Sequence, residues 1–347
     1  MSAQPDADRP SGDDPSPSTG SRVALALLVG LLAGALSWHT AQTTGEQSLG
    51  GSDFDQLWFG ARAVLHGRDP YALIGPGREF DWPWPLLYPM PALLAAMPFT
   101  VLPLLVSRLA FAFVSAAILT FALTPRGYAL LPLLASAAMV DAVRAGQLAP
   151  LFAAALLLPS LFWIASVKPN IGLALGLASE SMRGLVIAAL GGALLLVVSF
   201  ALQPTWLRSW LGVVSASGAG HLRVPLLSTG GPFLLAALLR WRRFDARVLL
   251  AFACVPHTPV VYDLVPLGLI ARTRAESLAF ALLTYVALFA EQQWVTALAP
   301  DAGARTGAMI LNLVVYLPLL AMVLSRPNEG SPPAWMKLVQ RRPAARR

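Results

Sequence analysis

Val23-Ala24-Leu25-Ala26-Leu27-Leu28-Val29-Gly30-Leu31-Leu32-Ala33-Gly34-Ala35-Leu36-Ser37-Trp38, followed by the polar stretch Gly51-Ser52-Asp53-Phe54-Asp55, decides how this chain is read. The first run has no charge and no two-residue alternation, so its pattern is helical. Lipid admits only helices or closed barrels, because every backbone N–H and C=O must find a partner inside the protein. The second stretch puts carboxylates at the start of the first large polar loop. In so apolar a chain, that is the layout of an enzyme working at a membrane surface with a carboxylate as its base.

The rest of the chain repeats the apolar pattern. Of 347 residues, 56% are hydrophobic and 12% charged, and the mean hydropathy is +0.63. Soluble domains run at about 45–50% apolar and roughly 25% charged. The chain therefore lacks the polar residues to cover a water-facing surface, and it reads as an integral membrane protein. The net charge of +7 fits basic cytoplasmic loops facing an anionic leaflet, so no nucleic-acid partner is expected. The single cysteine, Cys254, excludes an internal disulfide. The sequence has no phosphate-binding Gly-rich loop, no Gly-x-Gly-x-x-Gly, no Cys-x-x-Cys and no His-Glu-x-x-His. This counts against an ATP-driven pump, a dinucleotide enzyme, a structural zinc site and that class of metalloprotease.

Residues 1–20, rich in Pro, Asp, Ser and Gly, read as a disordered cytoplasmic tail. The apolar run behind them has an acidic leader and no small-residue cleavage site, which makes it an anchor rather than a signal peptide. Residues 21–326 form the membrane domain, and 327–347 a basic cytoplasmic tail. Further apolar segments lie at 104–123, 127–140, 148–160, 161–182, 184–202, 225–240, 247–256, 258–271, 276–297 and 306–325. Several approach the roughly 20 residues needed to cross. Others are short and punctuated by Pro150, Pro159 and Pro169, as broken or re-entrant helices are. The expected fold is an all-α, polytopic transmembrane bundle of about nine to eleven spans.

Basic loops orient it. Arg240, Arg242, Arg243 and Arg247 share one loop, Arg272 and Arg274 another, and Arg326, Lys337, Arg341, Arg342, Arg346 and Arg347 the tail. Placing all three inside is self-consistent. The regions 40–90, 141–147 and 203–224 and the His257 turn then lie outside, in a multi-pass protein of the cell membrane. The 40–90 loop has order of its own. Phe54, Leu57, Trp58, Ala61 and Leu65 share a helical face, Asp53 stands at the N-cap, and Gly67 is a stop. Trp58 suits a helix lying in the membrane interface. Asp69-Pro70-Tyr71 makes a turn, and Trp82, Pro83, Trp84, Pro85 and Tyr88 follow at headgroup level.

The order of these pieces resembles a family. Ser52-Asp53-Phe54, Ala63-Val64-Leu65-His66-Gly67-Arg68-Asp69-Pro70-Tyr71 and Tyr88-Pro89-Met90-Pro91 look like the first loop of the family-87 polyprenol-phosphomannose-dependent mannosyltransferases, multispan enzymes of the GT-C class. Gly146-Gln147 with Leu148 to Leu158, Val167-Lys168-Pro169, Pro256-His257-Thr258-Pro259 and Tyr262-Asp263 are similar to their pattern over roughly residues 50–270. Ala149 departs from it where an Asn is common, and Trp58-Phe59 stand where tyrosines are frequent. The resemblance implies a GT-C-like fold with a long first extracytoplasmic loop. It also implies a polyprenyl-phosphate sugar donor, with mannose as the sugar, and a glycolipid or glycan acceptor.

Each candidate residue has a plainer reading beside it. Asp53 is the general base of an inverting transfer that the resemblance implies, or a helix cap alone. Asp55 completes an Asp-Phe-Asp that looks like a metal pair, but on a helix it points away from Asp53 and reads as a solvated or substrate-facing residue. His257 contacts the donor phosphate or supports the base, or is an interfacial histidine bonded to a carbonyl. Lys168 holds the phosphate or snorkels to the membrane surface. Arg144 and Gln147 are similar phosphate candidates. Asp263 is an ionisable group at the edge of an apolar span. Tyr71 and Tyr88 are substrate-contact candidates, and Arg208, His221 and Arg223 candidates for the acceptor side. No metal and no soluble cofactor are expected. A transporter or lipid flippase and a non-catalytic scaffold remain rival readings, although the chain has none of the internal repeat that many transporters carry.

Overall fold

The computed structural model describes residues 17–43, 50–217 and 222–336, so most of both expected tails, and His221, lie outside the described residues. The chain is mostly helical. In order come α1 (Thr19–Thr43), α2 (Phe54–Leu65), the single turn α3 (Pro70–Leu73), and two two-residue parallel strands, β1 (Ile74–Gly75) and β2 (Phe80–Asp81). Then follow α4 (Met90–Ala96), α5 (Leu104–Leu123), α6 (Ala137–Arg144), α7 (Ala149–Leu157), α8 (Pro169–Ala178), α9 (Met182–Leu202) and α10 (Trp206–Ser217). The series closes with α11 (Phe244–Cys254), α12 (Arg274–Trp294), α13 (Pro300–Leu311) and α14 (Leu317–Leu324). Among the described residues, four helices are long and apolar enough to cross a membrane: Thr19–Thr43, Leu104–Leu123, Met182–Leu202 and the continuous run Pro300–Leu324.

The other apolar segments are shorter, and proline explains why. Pro150, Pro159, Pro169 and Pro232 each sit in the first turn of a helical segment, where the missing N–H costs no hydrogen bond. Pro159 and Pro169 also keep the preceding residue out of the helical region, Leu158 at ψ 97° and Lys168 at ψ 88°, and so stop the chain before them. The stretches at 159–166, 231–240 and 261–270 wind as 3₁₀ helices. Pro318 acts differently. It lies inside the last long helix, and the ladder widens just before it into a π turn over Asn312–Tyr316, which accommodates the bond proline cannot donate.

Helices α1 and α5 form one pair. The buried face of α1 is Ala26, Gly30, Ala33, Ser37 and Ala41, a stripe of small residues that lets two backbones come close. Leu27, Leu28, Leu31 and Leu32 face outward. Arg22 fixes the start of α1 against the end of α5: its guanidinium donates to the Phe121 carbonyl at 3.0 Å and stacks over the Phe121 ring at 4.2 Å.

The polar residues collect at two ends of the molecule. Helix α8, helix α11 and the 3₁₀ segment 261–270 each run between these ends. One end carries Lys168, His257 and Asp263. The other carries Glu180, Asp245 and Arg272. At about 1.5 Å per α-helical residue and 2.0 Å per 3₁₀ residue, the two ends are roughly 15–20 Å apart. The basic loops assigned to a common side by sequence meet at the second end. Asp245 receives Arg243 at 3.0 and 2.9 Å and pairs with Arg326 and Arg272, while Arg247 pairs with Glu180 at 2.5 Å. Burial alone would raise the Asp245 carboxyl, but these guanidinium groups outweigh it and hold the group below its usual range. The chain after α14 is strapped across this end, with Arg243 donating to the Pro327 carbonyl and Arg247 to that of Ser331.

The first loop departs from the sequence reading in two ways. Helix α2 is buried, so it is no surface helix: Phe54, Leu57, Ala61 and Val64 face the core, Leu65 points out, and Trp58 donates to the Leu102 carbonyl. Gly67 does end it, at φ +69°. Asp55 is neither solvated nor free to meet a substrate. It is fully buried, and both its oxygens are taken by Arg108, from Nε at 2.7 Å and from the terminal nitrogen at 2.6 Å, with the Gly50 N–H adding a third bond at 2.8 Å. A lone arginine in the apolar helix α5 requires such a partner, since an unpaired buried charge is expensive. Asp55→Asn should therefore cost about 3–5 kcal/mol, the usual penalty for stranding one member of a buried pair, whereas the double change to Asp55→Leu and Arg108→Met should recover most of that loss. Thermal unfolding midpoints of the three proteins in detergent give the comparison, and equal midpoints for the single variant and the parent would deny the pair its structural role.

Candidate functional site

The site is built where the first loop meets the turn between α6 and α7. Ala145 binds the loop twice through its carbonyl, accepting from the Asp53 N–H at 3.0 Å and from the Ser52 hydroxyl at 3.0 Å. Gly146 follows at φ +65°, and a Cβ there would stand 2.5 Å from Ser52 Oγ and 2.7 Å from Phe54 Cβ. Only glycine fits both that backbone and that approach. The turn delivers Gln147, whose side-chain amide donates to Asp53 Oδ2.

This arrangement corrects the expected cap. Asp53 occupies the residue before α2, but its backbone is helical (φ −61°, ψ −25°) and its carboxylate caps nothing. Ser52 takes the Phe54 N–H instead, at 3.3 Å. The Asp53 carboxylate is thereby released to face Gln147. It is half-buried, and burial is the main reason its pKa is pushed up to about 6, with Asp141 and Asp263 adding to the rise and the Gln147 bond and the Lys168 charge opposing it. Asp53 and Asp55 thus bond to different elements, and the Asp-Phe-Asp pair is split as a chelating unit.

Tyr88 extends the network: its hydroxyl donates to Gln147 Oε1 at 3.4 Å, and burial pushes its pKa well up, with the charges of Asp53 and Asp263 adding to the effect. Tyr71 is a support rather than a contact residue. It is buried, and its hydroxyl donates to the Tyr88 carbonyl at 3.2 Å. Helix α10 rests on the same loop, through Ser209 to Asp69 at 2.9 Å and Trp210 to the Leu87 carbonyl at 2.9 Å.

Lys168 does not snorkel. Its ammonium contacts both oxygens of Asp263, at 3.2 and 3.4 Å. Two residues on, Asn170 donates to the Pro256 carbonyl at 2.7 Å, which ties the start of α8 to the His257 turn. His257 itself is buried with both ring nitrogens engaged, Nδ1 at 3.0 Å from the Thr258 carbonyl and Nε2 at 3.3 Å from the Tyr316 hydroxyl. Burial lowers its pKa. The structure thus matches the plainer of its two readings, a histidine bonded to a carbonyl, and the ring braces the turn against the last long helix. Its backbone also pairs with Arg223, which in turn pairs with Asp301, so Arg223 is engaged in structure. Arg208 is exposed on α10.

Asp53, Gln147 and Tyr88 are therefore joined directly, with Lys168 and Asp263 close enough for their charges to act on Asp53. Arg144, exposed at the end of α6, makes no hydrogen bond or ion pair among the described residues. Three contributors escaped the sequence reading. Arg108 was legible as a solitary charge in an apolar helix. Asn170 and Tyr316 gave no signal, because only the fold brings them to the His257 turn. Beside the site, an apolar groove of about 300 Å³ runs along α1 and α6, with Leu25, Val29, Leu36, Val140 and Val143 among its walls. Val140 lies one helical turn before Arg144, on the same face.

Comparison with known protein families, with curated proteins and with solved structures finds no match to this chain. The geometry of the turn can be tested directly. Gly146→Ala must carry both a left-handed backbone, worth about 1–2 kcal/mol, and a steric clash. Gly67→Ala carries the first alone, because nothing lies within 4 Å of its added Cβ. Gly146→Ala should accordingly lower the thermal midpoint more than Gly67→Ala does. The reverse order would mean that the loop and the turn are not in contact.

Proposed function

We propose that this chain is a membrane glycosyltransferase that moves a hexose, mannose by the resemblance of its motifs, from a polyprenyl phosphate to a glycolipid or glycan acceptor on the outer face of the cell membrane. The observation that carries the reading is the Asp53 carboxylate. It is half-buried, is aimed by Gln147, and has its pKa pushed up to about 6 by burial. A base serves best when its pKa lies near the working pH, where it is ionised yet still holds a proton well. The apolar groove along α1 and α6 supports a lipid-borne donor, since its walls suit a hydrocarbon chain and Arg144 follows one turn beyond Val140.

The step is a single inverting displacement. Asp53 takes the proton of the acceptor hydroxyl while that oxygen bonds to the anomeric carbon. The bond from that carbon to the phosphate oxygen breaks, and the electron pair leaves with the lipid phosphate. Arg144 and Lys168 are the cations available to the departing anion, which they stabilise most where water is scarce. The active site faces outward and the basic end inward, so the C-terminus is cytoplasmic. A transporter is the second reading, favoured by the Lys168–Asp263 pair, because ionisable groups beside apolar spans often mark ion paths.

The experiment is a turnover assay on purified protein with polyprenyl-phosphate mannose and a mixed lipid extract. A labelled glycolipid is expected from the parent. Asp53→Asn, at equal expression and unchanged thermal midpoint, should reduce its formation by roughly 10²–10⁴-fold, the contribution of a positioned base. Undiminished turnover would end the assignment, and a chelator should leave the rate unchanged.

The pH profile gives a second check. The reaction needs the Asp53 anion, so the rate should rise with pH through about 6 and then level. The Gln147 bond favours the charged form, so Gln147→Leu should move that limb to higher pH. A limb that stays in place would remove Asp53 as the titrating group.

A further inference from the structure

The two ion pairs near the first loop differ in a way that assigns them different tasks. Asp55 and Arg108 are sealed, at 0% and 4% exposure, and meet through two contacts of 2.7 and 2.6 Å. Charge-assisted bonds of that length are at full strength. Lys168 and Asp263 meet at 3.2 and 3.4 Å, and the lysine side chain keeps 22% of its surface exposed while the aspartate keeps 4%. Contacts of this length lie at the long end of the hydrogen-bond range. The lysine has a flexible four-carbon stem and three donors with no fixed fork, so it can turn to another anion without moving the backbone. Asp263 cannot follow it, because it is held in the first turn of the 261–270 segment.

We propose that Asp263 is the resting counter-ion of Lys168, an internal stand-in for the lipid phosphate that displaces it, as the donor's phosphodiester on binding and as the monoester product before release. The proposal rests on the transferase reading for its ligand. It gives Asp263 a role opposite to substrate binding: the carboxylate competes with the phosphate. Empty, the pair is neutral, and neither charge is stranded in apolar surroundings. With the phosphate in place, Lys168 contacts the ligand, and Asp263 is left beside the His257 ring, on which its charge already acts. After transfer the same carboxylate reclaims the lysine and helps to expel the lipid phosphate. Asp263 is thus a positioning residue, setting both the affinity for the donor and the rate of product release.

The test is direct binding of geranyl phosphate, a short-chain monophosphate ester, to the purified full-length protein by calorimetry, with no acceptor present. Asp263→Asn should bind it at least tenfold more tightly than the parent. Lys168→Met should bind at least tenfold more weakly, and the double variant should match Lys168→Met. If the Asn variant does not fold, Asp263→Ser supplies the same comparison. In the transfer assay Asp263→Asn should lower KM for the donor and lower kcat with it, because release slows. Equal or weaker binding by the Asp263 variants would overturn the proposal, as would parental affinity in Lys168→Met. A pair that merely supports the fold would lower the thermal midpoint and leave the affinity unchanged. Since no sugar moves in the binding experiment, failure of the transferase reading would appear as absent turnover with the binding pattern intact.

Discussion

A charge cannot be left alone among apolar side chains, and the ion pair between Asp55 and Arg108 is where that constraint shapes the rest of this structure. Arg108 lies near the start of an otherwise apolar helix, and the first loop must supply its partner. In doing so it draws the first turn of α2 into the bundle, where Phe54 stacks on Phe111 at 4.7 Å and meets Phe99 edge-on at 5.8 Å. Residues two apart on a helix point to nearly opposite sides, at about 100° per residue. Burying Asp55 therefore turns Asp53 away from the core and toward the α6–α7 turn. One carboxylate is fixed as structure so that the other can be aimed.

The broken helices serve the same end. A membrane helix of full length buries every backbone group in its own ladder, and its polar termini lie far from the centre of the bundle. Short helices begun by proline place termini inside it. Lys168 is the residue before α8 and Asp263 lies in the first turn of a 3₁₀ segment, while the His257 turn joins α11 to that segment. These side chains meet because three segments start or stop at one level, and Asn170 locks two of them together. The prolines are thus part of how the polar site is assembled, as well as the reason the apolar segments are short.

Much of this was legible in the chain. The apolar runs, the proline punctuation, the stop at Gly67 and the common side of the basic loops all follow from local pattern, because each depends on residues near one another in sequence. The meeting of Ser52-Asp53 with Gly146-Gln147 was visible as two motifs, though not as a contact. The failures share a cause. The sequence cannot tell which of two carboxylates a distant cation will take, so Asp55 read as solvated or substrate-facing, and Asp53, read as a base, was also placed at a cap it does not make. It cannot tell whether an imidazole's second nitrogen finds a hydroxyl 59 positions away, so the two readings of His257, ligand contact and carbonyl-bonded ring, stayed level. The small-residue stripe of α1 was present all along in Ala26, Gly30, Ala33, Ser37 and Ala41, and marks a packed face by spacing alone.

The proposed reaction couples these parts through electrostatics. In the resting site the positive charge of Lys168 opposes the rise in the Asp53 pKa that burial causes. A phosphate anion that engages Lys168 offsets this influence with its own charge, while that of Asp263 remains. The balance then disfavours the Asp53 anion and so strengthens it as a base. Donor binding would then make the carboxylate most eager for a proton when an anomeric carbon is present to receive the oxygen that gives it up. Without donor, Asp53 is a weaker base held by an amide, and a bystander hydroxyl gains little by approaching it. The order of events, donor before proton transfer, would follow from charge alone and needs no moving lid.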